Sequence, residues 1–328
     1  MIETAIWDSR WQGQHGIARF ASEVHSRLSA NLVPLGETKV RPASVLDPAY
    51  IFSKMSAPHR PALFISPGFN AGLRGNYEQV VTIHDLIHLK VAAERSVAKT
   101  LYYSTVVGPV LRSARRVLTV SEFSKLEIVE HFRIDPARVE MVGNGSSMEV
   151  LTQPVDLGGN GGFVLYVGNS KPHKNLDLLI QSVASVDPAV GFVVVGVDQA
   201  YVKHLCDAHR VDPRRFTVVN GISDLELQAL YTHAGCVALP STYEGFGLAA
   251  VEAMSRATPT VYCSDAVREV AGETGEYVQD ARDGIEYGRA LERAIATKAS
   301  RFDQLVKRAA TFSWDRVADR VRSSIWSV

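Results

Sequence analysis

Several features that would commit a chain early to one class are scarce here. Only three cysteines, Cys206, Cys236 and Cys263, occur in 328 residues. An odd number without metal-like spacing excludes a disulfide framework and a cysteine zinc site. Cys236 lies in an apolar run and Cys263 follows another, so both read as small core residues, and reduced cytosol is the expected compartment. Net charge is lacking too: 35 Lys and Arg stand against 35 Asp and Glu. That balance argues against nucleic acid as the main partner. No uninterrupted apolar stretch approaches the roughly 20 residues of a membrane span. Residues 1–7 read as the start of a strand and hold no secretory apolar region. No strand ends in Asp-x-Asp, so a metal-dependent sugar-nucleotide site lacks its ligands. A Gly-x-Gly-x-x-Gly turn followed by an acid is missing after the first strand, which disfavours a nicotinamide-dependent oxidoreductase.

What is present is alternation. Short β-branched runs alternate with periodic helical segments in both halves, the pattern of doubly wound α/β domains. The chain is too long for one ordinary core and comfortable for two. Between the halves, residues 153–162 contain Pro154, Gly158, Gly159, Gly161 and Gly162, the clearest linker. The domains are therefore expected at 1–155 and 156–311, followed by an amphipathic tail at 312–328.

The densest chemistry lies in residues 240–254. The apolar run 235–239 reads as a buried strand. Tyr243, Glu244, Gly245, Phe246 and Gly247 follow, and then Leu248, Val251, Ala253 and Met254 recur at helical spacing. Strand, glycine turn and helix together aim backbone N–H groups and a positive helix end at a ligand. Glu244 stands before the glycines and Glu252 in the first turns of the helix, with seven residues between the acids. One carboxylate is placed beside the turn, while the other can accept from a diol.

A second such turn opens the C-terminal half. The strand 163–167 runs into Gly168, Asn169, Ser170, Lys171, Pro172, His173, Lys174 and Asn175, ahead of a helix from Leu176. A lysine at a helix start opposes the macrodipole, which makes sense if an anion lies between them. Lys174 and the N–H groups would then clamp one pyrophosphate. In the N-terminal half the first strand ends at Trp7-Asp8, and a glycine loop, Gly13 to Gly16, opens the next helix in a phosphate-binding arrangement. A later strand, 79–83, runs into His84 and Asp85, at the carboxyl end where open α/β sheets bind ligands. His84 and His88 are four apart but follow the strand directly, and nothing supplies a third zinc ligand. Arg112, Arg115 and Arg116 read as a solvated helix end, with an anionic membrane surface or a phosphorylated acceptor as the alternative partners.

Taken in order, these runs resemble retaining glycosyltransferase family 4. Glu-Gly-Phe-Gly-Leu with a second acid after seven residues resembles its signature. The run Gly16-Ile17-Ala18-Arg19-Phe20 is similar to the family's N-terminal glycine loop, and residues 168–175 to its Gly-Arg-x-x-Pro-Arg-Lys-Asn pattern. Two departures stand out: no Arg follows Gly168, and His173 replaces the Arg before the Lys. Lys171 is the residue that would substitute.

The resemblance implies a GT-B fold: two Rossmann-like domains facing a central cleft, the C-terminal helix crossing back to an acceptor-binding N-terminal domain. It also implies retaining, metal-independent transfer of a hexose, of mannose or glucose type, with no cofactor beyond the nucleotide-sugar substrate. His84, Glu244 and Lys174 become the expected catalytic residues. Gly13, Gly16, Asn169, Lys171, Lys174, Glu244, Gly245, Phe246, Gly247, Leu248 and Glu252 become the expected donor-binding set, with Glu244 on the sugar and Glu252 on the ribose. The expected acceptor is a glycan or lipid-linked hydroxyl in cell-surface polysaccharide synthesis. Location is expected in the cytoplasm, with peripheral contact to the inner membrane face left open. A non-catalytic subunit of the same fold, an epimerase or a phosphorylase remain the alternatives.

Overall fold

The structure is a computed structural model and describes residues 4–13, 15–36, 38–58, 62–154 and 162–326. Two compact units divide the chain, Met1–Gly145 with Ser313–Val328, and Ser146–Phe312. The division falls after Gly145 instead of the expected 155. Ser146 N donates to Phe312 O at 3.2 Å, so the second unit begins and ends at hydrogen-bonded neighbours. Composition had pointed to the glycines further on, of which residues 155–161 lie outside the described residues.

The first unit is built on six parallel strands: β1 (Ala5–Trp7), β2 (Leu32–Pro34), β3 (Leu63–Ser66), β4 (Glu78–Thr82), β5 (Arg116–Thr119) and β6 (Val139–Met141). Their order is β2-β1-β3-β4-β5-β6. A parallel sheet is covered on both faces, and its central strands are accordingly continuous apolar runs. One face carries Trp7, Phe20, Val24, Leu28, Leu63 and Leu118, closed by Trp314, Val317, Val321 and Ile325. Thus the C-terminal helix, Trp314–Trp326, is part of this unit's core. The helix Gly16–Leu28 beside it is capped by His15, whose Nδ1 accepts from Ala18 N.

Two further stretches of this unit carry structure that the pattern of the chain does not announce. The Pro-rich, weakly periodic residues 35–60 hold a nine-residue helix, Asp47–Met55, with Pro48 in its first turn, where a missing N–H costs nothing. The helical segment 97–111 is broken by a π turn, Tyr103–Val107, between Val97–Tyr102 and Gly108–Leu111.

The second unit has six parallel strands of its own: β7 (Val164–Val167), β8 (Phe192–Val195), β9 (Phe216–Val219), β10 (Cys236–Leu239), β11 (Thr260–Tyr262) and β12 (Glu276–Tyr277). They are ordered β12-β11-β10-β7-β8-β9. From β7 the chain winds outward to β9, then returns to β10 and winds the other way. The reversal lies between β7 and β10, the place where open α/β sheets take ligands beyond their carboxyl ends. The helix Asp224–His233 starts in a capping box formed by Ser223 and Glu226. All three cysteines are buried free thiols.

Candidate donor site at the strand reversal

The loops after β7 and β10 are neighbours because their strands are hydrogen-bonded. They are stitched directly: Thr242 N donates to His173 O at 2.8 Å. Asn175, in the left-handed region at φ 52, sends its Nδ2 to Pro240 O at 3.2 Å and Ala281 O at 2.9 Å. Asn tolerates that conformation better than most residues, so it can end one turn and cap the next helix.

Across this junction Lys174 Nζ stands 2.6 Å from Glu244 Oε1, with the two side chains 25% and 18% exposed. The placement of Lys174 differs from the sequence reading. It closes a 3₁₀ turn, Pro172–Lys174, and the helix Leu176–Ser182 starts only beyond Asn175. The anion that offsets its charge is Glu244. The negative charge of Glu244 also reaches Tyr166: burial first, then that charge, raises the phenol above its ordinary range. Tyr166 therefore stays protonated and donates to Asn169 O at 2.9 Å.

Gly247 starts the helix Leu248–Ser255 at φ 95. A Cβ there would lie 2.7 Å from Val267 Cγ2. Phe246 is buried, its ring edge-on to Phe312 at 5.7 Å. Its side chain thus packs the turn, leaving its backbone as the part available to a ligand. Glu252, half-buried in the helix, accepts from the fully buried Tyr231 hydroxyl at 2.8 Å. Tyr231 and Asn175 were not selected from sequence. Asn175 carries the signal of an Asn before a helix, whereas Tyr231 lies 21 residues from its partner with no local cue.

On the same loop Asn169 and Lys171 are exposed, and Asn169 Oδ1 accepts from Lys171 N at 3.1 Å. His173 is buried at 5% exposure, so it supports the loop from inside.

In the first unit, Gly13 (φ 118) and Gly16 flank the entry to the helix Gly16–Leu28. The preceding turn is locked by a buried cluster absent from the sequence reading. Arg10 pairs with Asp8 at 2.6 Å and Asp47 at 2.7 Å, and Asn70 Nδ2 donates to both acids. Burial works against the Arg10 charge, yet the Asp8 hydrogen bond and the two carboxylates raise its pKa overall. Half-buried His84 lies 2.9 Å from Pro67 O through Nε2 and meets Phe20 edge-on. Loss of solvent is the main cause that lowers its pKa to about 4, with the Pro67 bond opposing and His15 assisting. The imidazole is neutral near pH 7, carrying its proton on Nε2 toward the carbonyl. His88 instead faces Lys99 Nζ through Nδ1 at 3.0 Å. Among the described residues no three His, Cys, Asp or Glu converge in a metal-like group.

Comparison with known proteins follows the same division. The family described as Glycosyl transferases group 1 matches residues 148–309, and Glycosyltransferase Family 4 matches 58–149. The D-inositol 3-phosphate glycosyltransferase of Gordonia bronchialis is 27% identical over 294 residues, 78% of this chain and 62% of its own length. The O-antigen chain mannosyltransferase RfbU of Salmonella typhimurium is 26% identical over 187 residues, covering 56% of this chain and 51% of its own. The chain spans between half and two thirds of the length of these curated relatives. Among solved structures, sucrose-phosphate synthase from Thermosynechococcus elongatus superposes with a TM-score of 0.74 at 17% identity, covering 97% and 96% of the two chains. The lipopolysaccharide outer core galactosyltransferase WaaB gives 0.71 at 16%, covering 99% of each. At such identities the likeness is one of fold, the two-domain α/β arrangement named GT-B.

Proposed function

We propose that this chain, which is of the family 4 glycosyltransferase type, transfers a hexose of mannose or glucose type from a nucleoside-diphosphate sugar to a hydroxyl of a glycan or lipid-linked acceptor. The reading includes retention at the anomeric carbon, no requirement for a divalent metal, and a role in cell-surface polysaccharide synthesis on the cytoplasmic side. The names of the curated relatives, a mannosyltransferase of O-antigen chains and glycosyltransferases of an inositol phosphate, support acceptors of this hydroxyl-rich kind.

The observation that carries the proposal is the Lys174–Glu244 pair across the β7–β10 reversal. When the sugar leaves its nucleotide, negative charge grows on the diphosphate while the sugar becomes oxocarbenium-like. A fixed ammonium and the N–H groups at the start of the helix Leu248–Ser255 stabilise the leaving group without reorganisation. Lys174 then shares its charge between Glu244 and the phosphate. Glu244 is left to hold sugar hydroxyls, and Glu252, steadied by Tyr231, accepts from the ribose diol. Neither acid is assigned as a nucleophile; substitution at the same face of the sugar accounts for retention. In the first unit, neutral His84 suits a sugar hydroxyl, since it adds no positive charge.

Release of nucleoside diphosphate from a panel of nucleotide-sugars, in excess chelator, tests this reading. Wild type is expected to turn over at least one donor with full activity. Lys174→Ala is expected to lose about 10²–10³ in kcat, the scale for removing one preorganised charge contact. Near-normal turnover in that variant rejects the role of Lys174, and loss with chelator restored by manganese rejects metal independence.

A further inference from the structure

The first unit has a pocket of about 500 Å³ that the donor chemistry does not use. Its floor is aromatic: Tyr103 and Phe132 stack at 6.3 Å with 24° between their planes. Gly108 keeps that floor open, because a Cβ there would press on Phe132 at 3.3 Å and on Tyr103 O at 3.1 Å. The π turn Tyr103–Val107 forms part of the wall, and such turns locally widen a helix and often mark functional sites. Around the rim stand Arg95, Arg112, His131 and the Thr100 hydroxyl. No carboxylate lines the pocket.

Two observations point to an anion. Neither guanidinium has an ion-pair partner among the described residues. Arg95 is anchored through Nε to Leu89 O at 2.7 Å, so it is held in place by the backbone and not neutralised. The arginine cluster seen in sequence is also split by the fold. Arg115 is paired with Glu78 at 2.7 Å, and Arg116 donates to Arg115 O, whereas Arg112 faces this pocket. Two guanidiniums over an aromatic floor match a phosphate group attached to an organic body. Beside the pocket, the helix Val97–Tyr102 exposes Val97 (89%) and Leu101 (59%), which gives an apolar body further surface to lie on.

We propose that this pocket binds a phosphate monoester or diester, its phosphate between Arg95 and Arg112 and its organic part on Tyr103 and Phe132. A soluble sugar or polyol phosphate and an anionic lipid headgroup share that chemistry. Two probes separate them on the full chain: glycerol 3-phosphate by calorimetry, and flotation with vesicles of phosphatidylglycerol against phosphatidylcholine. Binding to the first marks a soluble ester; flotation with phosphatidylglycerol alone marks a lipid. In either case the double variant Arg95→Gln with Arg112→Gln should weaken binding about tenfold or more, as expected for losing two charge-assisted contacts. Thr100→Glu, at an exposed position, should do the same by repulsion and decides the matter if the double variant fails to fold. Arg214→Gln, an exposed arginine of the second unit, should change nothing. Binding of neither probe, or binding that survives both the double variant and Thr100→Glu, overturns the proposal.

Discussion

At Lys174 an ammonium and a carboxylate are held 2.6 Å apart in side chains that are a quarter and a fifth exposed. A pair that close to solvent contributes about 0–1 kcal/mol to stability, too little to explain a cation and an acid fixed at a strand reversal. In the proposed function its value is chemical, as a polar clamp that a phosphate and a sugar can divide between them. His84 makes a complementary point about neutrality. Its folded pKa of about 4 lies below the ordinary 6.5, so between those values the unfolded chain takes up a proton that the folded chain refuses. The contribution is complete above about pH 6.5 and is lost as pH falls toward 4. Ring titration by NMR should show His84 neutral to below pH 5, and urea unfolding should fall more steeply from pH 7 to 5 in wild type than in His84→Gln. A midpoint at or above the ordinary value contradicts the desolvated, carbonyl-bound ring. Lys174, Glu244, Glu252 and His84 could be singled out as candidates because each sits beside a strand end or a glycine turn. The Arg10–Asp8–Asp47–Asn70 cluster was not, since its partners lie up to 62 residues apart and only the tertiary fold joins them.

Among the elements, the apolar runs 79–83, 163–167 and 235–239 were read to within a residue of β4, β7 and β10, whereas the three-residue β2 and β6 and the two-residue β12 were not read as strands. Strands that short carry no period and exist because a neighbouring strand offers hydrogen bonds. The π turn within 97–111 was equally hidden, as nothing in Tyr103–Val107 distinguishes a π turn from an α turn in sequence. Glycine chemistry fared better. Gly247 is required twice over, by φ 95 and by Val267 at 2.7 Å from a would-be Cβ. Gly247→Ala should cost about 1–3 kcal/mol in urea unfolding, the range for a strained left-handed backbone. Gly191→Ala, where nothing lies within 4 Å, should fall within about 0.5 kcal/mol of wild type, as surface changes do. Equal effects at the two positions would show that the turn at Gly247 is not constrained as described.

For the whole molecule, two parallel sheets of different strand order each place their loops at a reversal, between β1 and β3 in one and between β7 and β10 in the other. The fold class was therefore readable from alternation alone. The boundary was not, because glycine content marks where a chain can bend, while the division follows where contacts change. The family match respects that division, one profile ending at residue 149 and the other starting at 148. The central proposal concerns the second unit: that its reversal holds a nucleoside diphosphate, with Glu252 on the ribose and Glu244 on the sugar. Calorimetry with free UDP and GDP addresses it most directly, because neither ligand carries the sugar. At least one should bind wild type, and Glu252→Gln should weaken it several-fold. Glu244→Gln should leave it unchanged or slightly tighter, since Lys174 loses its competing partner. Loss of nucleotide affinity in Glu244→Gln with none in Glu252→Gln would contradict the assignment of the two acids.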